Sequence, residues 1–169
     1  MRLRKGDPLA EPERLIRRVY AYVSYVVGDA ADASEITRLA IERAFRYRTS
    51  YDPKSSSGIA WIFGIARYCL ADSFREPFAT TGDELEELDE SNALYDEDDL
   101  AAVRAAVVSL GPFDRELIAL RHGADLSPRE IGEQLGMRAS AVEAGLQRAQ
   151  GRVLAILTAR LQEPAGDAA

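Results

Sequence analysis

Within the segment LSPREIGEQLGMRASAVEAGLQRAQGRV, Leu126 to Val153, Glu143, Gln147 and Arg148 fall four and five residues apart and so share one side of a helix. They are a carboxylate that can accept from cytosine N4, an amide that can pair bidentately with adenine, and a guanidinium suited to phosphate. This chemistry reads nucleic acid and makes or breaks no bonds. Catalytic alternatives lack material. The chain has one histidine, His122, and one cysteine, Cys69, too few for a nucleophile–histidine set or a typical zinc site. The neighbours of His122 suggest the capping of a helix end, and Cys69 falls among apolar residues and reads as core. There is no glycine-rich phosphate loop. The expectation is a protein that is not an enzyme, with no catalytic residue, no metal and no cofactor.

The elements that must position those side chains are legible around them. Ser127 is a helix N-cap, Pro128 suits the first helical position, and Glu130 completes a capping box. Ile131 and Leu135 form the apolar side of this first helix. Gly132 is small where two helices cross, and Gly136 suits a left-handed turn. Met137, Val142 and Leu146 face back from a second helix that runs to about Leu161. Small residue, turn glycine and apolar spacing together read as a helix-turn-helix; the plainer alternative is an ordinary helical hairpin in a bundle. Two helices precede it, DDLAAVRAAVVSL and PFDRELIALRH, separated at Gly111-Pro112.

The formal net charge of the 169 residues is −7, which at first sight opposes DNA binding. Its distribution removes the conflict. Thr80 to Asp99, TTGDELEELDESNALYDEDD, holds ten acids and no base. The residues before it carry 13 bases and 10 acids, and those after it 8 of each. The acidity belongs to a linker, expected to be extended and solvated; a sharper reading is a DNA mimic or an acidic strap over a basic face.

The residues before the linker read as three helices. Pro12 opens the first, with Leu15, Ile16, Val19, Tyr20, Val23 and Val27 at helical spacing. The second runs from about Asp32 to Arg48, with Ile36, Thr37, Ala40, Ile41, Ala44, Phe45 and Tyr47 along one face. Thr49 to Gly58 is a loop by its Pro, Gly and Ser content, and IAWIFGIARYCLADSFRE is the third helix. No strand pattern, repeat, secretory signal or apolar run of membrane-spanning length appears.

Two stretches carry a family resemblance. YDPKSSSGIAWIFGIARYCLADSFRE, with Asp52-Pro53 before the loop, Trp61, and Ala66-Arg67 ahead of Asp72 and Arg75, resembles the promoter-melting and minus-ten part of region two of bacterial RNA polymerase sigma factors. LSPREIGEQLGMRASAVEAGLQRA resembles the helix-turn-helix of their region four. Over about Glu13 to Leu161 the chain resembles the extracytoplasmic-function group, whose lack of a third domain fits a short linker. The resemblance implies an all-α fold of two small helical domains joined by the acidic linker: residues 1–79 like region two, 80–99 the linker, 100–162 like region four, and 163–169 a tail. It implies a cytoplasmic protein, nucleoid-associated through RNA polymerase, that binds polymerase core, recognises the minus-35 and minus-10 elements of promoter DNA and promotes opening.

Residue by residue, the resemblance implies that Tyr51, Asp52 and Lys54 shape a pocket for an extruded base, and that Trp61, Arg67, Tyr68 and Arg75 supply stacking and phosphate contacts. The minus-35 element would face Ser127, Arg138, Ser140, Ala141, Glu143, Ala144, Gln147 and Arg148. Core binding falls on Glu35, Arg38, Leu39 and Glu42, with Leu39 read as an exposed leucine on the polar face. The chain also departs from the family. Arg38 and Ile41 stand where Gln and Phe are typical, Glu143 where lysine is frequent, and Gly145 where arginine is. These departures support an alternative, a degenerate sigma-like decoy or antagonist that binds a regulator. A candidate anti-sigma factor completes the partners, and no membrane is expected. The tail LQEPAGDAA, ending in Ala168 and Ala169, resembles a degron gripped by a C-terminal-tag-recognising protease; the plainer reading is an unstructured end.

Overall fold

In a computed structural model, which describes residues 7–75 and 97–163, every regular element is helical. Helix α1 spans Pro12–Val27, with proline in its first turn, and ends at Gly28 in the left-handed region. Helix α2 spans Ala30–Arg46; the Asp29 carboxylate caps it by accepting from the Asp32 amide at 2.9 Å. A single 3-10 turn, Arg48–Ser50, leads through the loop to α3, Gly58–Arg75. The second half holds α4 Glu97–Val108, α5 Pro112–Ile118, α6 Pro128–Leu135 and α7 Ala139–Gln162. The last turn of α5 widens to a π-turn at Ala119–Gly123. Glu97–Asp99, read as the end of the linker, are instead the first turn of α4. The rest of the acidic segment from Thr80 to Asp96, and Ala168 and Ala169, lie outside the described residues.

Helix α1 is central. Leu15, Val19, Tyr22, Val23 and Val26 are buried along it, and it packs on α2, α3, α4, α5 and the π-turn. A helix with neighbours on more than one side buries more than one stripe. This is why Tyr22 and Val26, which the single-stripe reading of α1 omits, are core. Tyr22 is completely buried, edge-on to Phe63 with ring centroids 5.5 Å apart. An aromatic buried in this way contributes about 1.5–3 kcal/mol. In α2 the expected face is correct for Ile36, Thr37, Ala40 and Ala44. Phe45 and Tyr47 depart from it, being 48% and 53% exposed.

The two halves are not separate lobes on a tether. One continuous apolar cluster runs from Leu15, Tyr22 and Phe63 into Leu117, Leu120, Leu126 and Ile131. Gly123 is required at this joint: a Cβ there would lie 2.7 Å from the Tyr22 amide nitrogen and Cα, against α1 backbone that has no way to yield.

Candidate nucleic-acid interface

The loop ahead of α3 is built by its own polar groups. The Asp52 carboxylate accepts from the Lys54 amide at 2.9 Å and the Ser55 hydroxyl at 3.0 Å, and its carbonyl accepts from the Ser55 amide. Asp52 therefore shapes the loop rather than presenting a free carboxylate. Ser57 caps α3 by accepting from the Ala60 amide at 3.1 Å. Lys54 is exposed. The Tyr51 hydroxyl donates to the Ser56 carbonyl at 3.1 Å, and its ring leans on Trp61 with centroids 5.4 Å apart. Loop and helix are thus joined by an aromatic pair.

From α3 the side chains leave in three directions. Ile62, Phe63, Ala66, Cys69 and Leu70 go to the core, and burial pushes the Cys69 thiol up, keeping it protonated. Trp61, Gly64, Ile65, Tyr68 and Asp72 face outward and, with Arg43, Arg46 and Tyr47 of α2, line an open groove of about 720 Å³. Tyr68 is 64% exposed, and the Arg43 guanidinium lies 5.5 Å from its ring centroid while pairing with Asp72 at 3.3 Å. Exposed aromatics interleaved with guanidinium groups provide stacking surfaces and phosphate partners. A spacing-based reading of α3 finds Trp61 and Tyr68. It misses Arg43, Arg46 and Tyr47, which the fold brings across from α2; the exposed aromatic at the end of α2 is the available signal.

The third direction corrects an expectation. Arg67 does not face outward toward DNA. Its Nε donates to Glu116 Oε1 of α5 at 2.9 Å, and its Nη1 donates to the Gln134 carbonyl of α6 at 3.1 Å. Glu116 also accepts from the Tyr22 hydroxyl at 2.8 Å. Burial, and then the charge of Glu116, raise the Tyr22 phenol well above its ordinary range, so it remains a donor. Arg75 is exposed at the end of α3. Tyr51 also lines a second hollow of about 420 Å³, with Arg14 and Arg18 of α1 and Glu130 of α6 along other walls.

The helix-turn-helix follows its sequence closely. Ser127 and Glu130 form a reciprocal capping box, so Ser127 is occupied in holding α6. Gly136 closes α6 with φ +67°. A Cβ on Gly132 would lie 2.4 Å from the Met137 carbonyl oxygen, so the turn requires glycine at that position. On α7, Arg138, Ser140, Ala141, Glu143, Ala144, Gln147 and Arg148 are all exposed, while Val142, Gly145, Leu146 and Ala149 are buried. Gly145 is therefore not on the outward face where an arginine could serve DNA. A Cβ there would meet Leu117 Cδ1 at 2.7 Å, so its small size lets α7 close on α5.

On α2, Arg38 bridges Glu35 at 2.7 Å and Glu42 at 3.2 Å, and Glu42 accepts from Arg46 at 2.8 Å. The hydrogen bond from Arg38 holds the Glu35 carboxyl below its ordinary range. Leu39 lies beside this ladder, four residues after Glu35 and three before Glu42. It is half-buried and packs against the core, which corrects its reading as an exposed leucine.

Residues 13–76, which span α1 to α3, match the family Sigma-70 region 2. The chain carries a Sigma-70 region 2 domain. Across its length it is 31% identical over 147 residues to the ECF RNA polymerase sigma factor BldN of Streptomyces coelicolor, covering 82% of this chain and 55% of BldN. The chain thus spans about half the length of that relative. Its fold is that of CnrH in complex with the cytosolic domain of CnrY, with a TM-score of 0.63, 22% identity and coverage of 89% of this chain and 86% of that one. It is equally that of the sigma factor RpoE in complex with the anti-sigma factor NepR from Bartonella quintana, with a TM-score of 0.62, 19% identity and coverage of 89% and 94%. Region 2 holds both the aromatic groove and the Asp52 loop. Among the described residues no helix is long and apolar enough to cross a membrane, and no group of three or more His, Cys, Asp or Glu could hold a metal ion.

Proposed function

We propose that this chain is a sigma factor of the extracytoplasmic-function group. It binds RNA polymerase core, recognises the minus-10 element through region 2 and the minus-35 element through α6 and α7, and promotes DNA opening. The observation that carries this reading is the open groove of Trp61, Tyr68, Tyr47 and Arg43 beside the Asp52 loop, within region 2. It is an exposed aromatic platform of the kind that binds single strands, on a chain that also presents a helix-turn-helix. The residues before the linker and those from α4 onward are proposed as the two functional units. The protein would act in the cytoplasm, on DNA held by polymerase. RpoE and CnrH are seen with NepR and CnrY respectively, which supports an anti-sigma factor as a further partner here.

The rival is a decoy that binds a regulator without initiating. Run-off transcription with purified core polymerase separates the two. Initiation from duplex templates is expected, and replacing Tyr51, Asp52 and Lys54 with alanine should reduce it more on duplex than on pre-melted templates. A wild-type protein that binds core yet yields no transcript from either template would leave the decoy.

A further inference from the structure

Gly64 lines the open groove of about 720 Å³ between α2 and α3. Glycine inside a helix is less stable than alanine, so each helical glycine needs a cause. Gly132 and Gly145 have one, because a Cβ at either would strike a neighbour. Gly64 has none within the fold. It is helical and exposed, and neither the α2 wall nor Trp61 or Tyr68 comes within 4 Å of where its Cβ would stand. Gly64 follows Trp61 by three residues and precedes Tyr68 by four, so the three share one face. About 10.5 Å of helix axis separates Trp61 from Tyr68, and Gly64 and Ile65 are what α3 contributes to the groove between them. The α3 backbone is thus bare at the middle of the groove. The facing wall is Arg43, Arg46 and Tyr47 of α2. Arg43 pairs with Asp72 at 3.3 Å and Arg46 with Glu42 at 2.8 Å, and each guanidinium has five N–H donors, more than these pairs use.

We propose that Gly64 is the seat of one nucleobase of a single strand: the base lies against the bare α3 backbone between Trp61 and Tyr68, and the absent side chain sets the size of ring that the groove admits. The inference rests on the reading of this groove as a strand-binding platform and names the residue that fixes its capacity. The lining favours a base over an aliphatic side chain of a partner protein. Tyr47, Trp61 and Tyr68 bring aromatic faces and Arg43 and Arg46 bring guanidinium groups, whereas Ile65 is the one large aliphatic residue along the groove. Aromatic faces stack on bases, and guanidinium groups meet both π systems and phosphates. Close approach of the backbone to a ligand is one of the uses of glycine. Any side chain at this position would occupy the volume of the base, beginning with a single methyl group. It would do so without touching the core, because Ile62, Phe63 and Ala66 are buried on the other side of α3.

The test uses the full chain and a fluorescein-labelled oligothymidylate at low salt. Gly64→Ala should raise the thermal unfolding midpoint, because alanine favours the helix and nothing obstructs its methyl group. The same variant should weaken binding about fivefold, and Gly64→Leu should weaken it up to about a hundredfold, the lower and upper worth of one stacked base. Gly151→Ala, at another exposed helical position with nothing within 4 Å, should raise the midpoint without weakening binding. Tyr68→Ala should weaken binding, and Gly64→Leu added to it should lose less than Gly64→Leu alone, because both act on one seat. The proposal is overturned if the wild-type chain does not bind the oligothymidylate, if Gly64→Leu binds it as tightly as wild type, or if Gly64→Ala lowers the midpoint. It is equally overturned if Gly151→Ala weakens binding as much, or if the effects of Gly64→Leu and Tyr68→Ala simply add. A Gly64→Leu chain that keeps the oligonucleotide but loses core polymerase would assign the groove to a protein side chain and overturn it as well. Run-off transcription decides the sigma reading separately: a wild-type chain that binds the oligonucleotide in this pattern but starts no transcript loses that reading and keeps the seat.

Discussion

Helices α3 and α7 were both expected to touch DNA, and they present their residues differently. The seven candidates from Arg138 to Arg148 point to solvent, because in the first half of α7 the buried residues Val142, Gly145, Leu146 and Ala149 form one stripe, although α4, α5 and α6 all pack on that helix. On α3 the candidates divide. Trp61 and Tyr68 line an open groove, Arg67 joins the two halves, and Arg75 is exposed at the end. Helix α3 packs on α2 and α1 and is also approached by α6. A stretch of helix whose buried residues form one stripe displays its outward residues by period alone, whereas where a second element covers part of the outward face, as α6 does at Arg67, spacing does not tell an open face from a joint.

The strongest way to break this comparison is to remove the scaffold under α7. Gly132→Ala would place a Cβ 2.4 Å from the Met137 carbonyl oxygen, a clash with backbone that must displace the turn. Such overpacking costs about 3 kcal/mol. Thermal unfolding should show a correspondingly lower midpoint, and the minus-35 interaction should be lost with it. An unchanged midpoint would mean that the turn is slack and that α7 does not depend on this crossing.

The same contrast explains what the sequence revealed. The seven α-helices of the described residues, the capping box at Ser127 and the left-handed turn at Gly136 follow from local rules that act within a few residues, and all are readable. Tyr22, Val26, Leu39, Arg67 and Gly145 were misplaced or missed for a shared reason. Each is defined by a partner far away in the chain: Glu116 for Tyr22 and Arg67, Leu117 for Gly145, and the shared core for Val26 and Leu39. A helical wheel has no term for the second element that packs on a helix. Gly145, judged as a weak point in a recognition helix, is a packing requirement.

A smaller effect would sharpen the account of α7 itself. Gln147 and Arg148 are adjacent and exposed, and they differ in chemistry. Gln147→Ala should change base preference at the minus-35 element, with about 1–3 kcal/mol of discrimination lost at one base pair. Arg148→Ala should weaken all sequences alike and lower the salt dependence by about one phosphate contact. Binding assays on a set of single-base promoter variants, at several salt concentrations with polymerase present, read both effects. A uniform loss in the Gln147 variant would assign that residue to the backbone as well.

The smallest expected effect on stability lies on α2, opposite the groove in character. Arg38 is the centre of a charged ladder, bonded to Glu35 and Glu42, yet its side chain is 45% exposed. Exposed pairs at helical spacing contribute about 0.3–0.5 kcal/mol each, so Arg38→Ala should change the unfolding midpoint very little. Leu39→Asp should lower it clearly, since that residue is half-buried against the core; loss of polymerase binding in that variant would be ambiguous between contact and packing. Arg38 is the cleaner probe because its removal leaves the fold intact. If the Glu35–Arg38–Glu42 face is the core-binding surface, Arg38→Ala should weaken association with core polymerase at unchanged stability and increased salt should weaken the wild-type association. A variant that binds core as tightly as wild type would remove Arg38 from that surface and leave the ladder as ordinary surface charge.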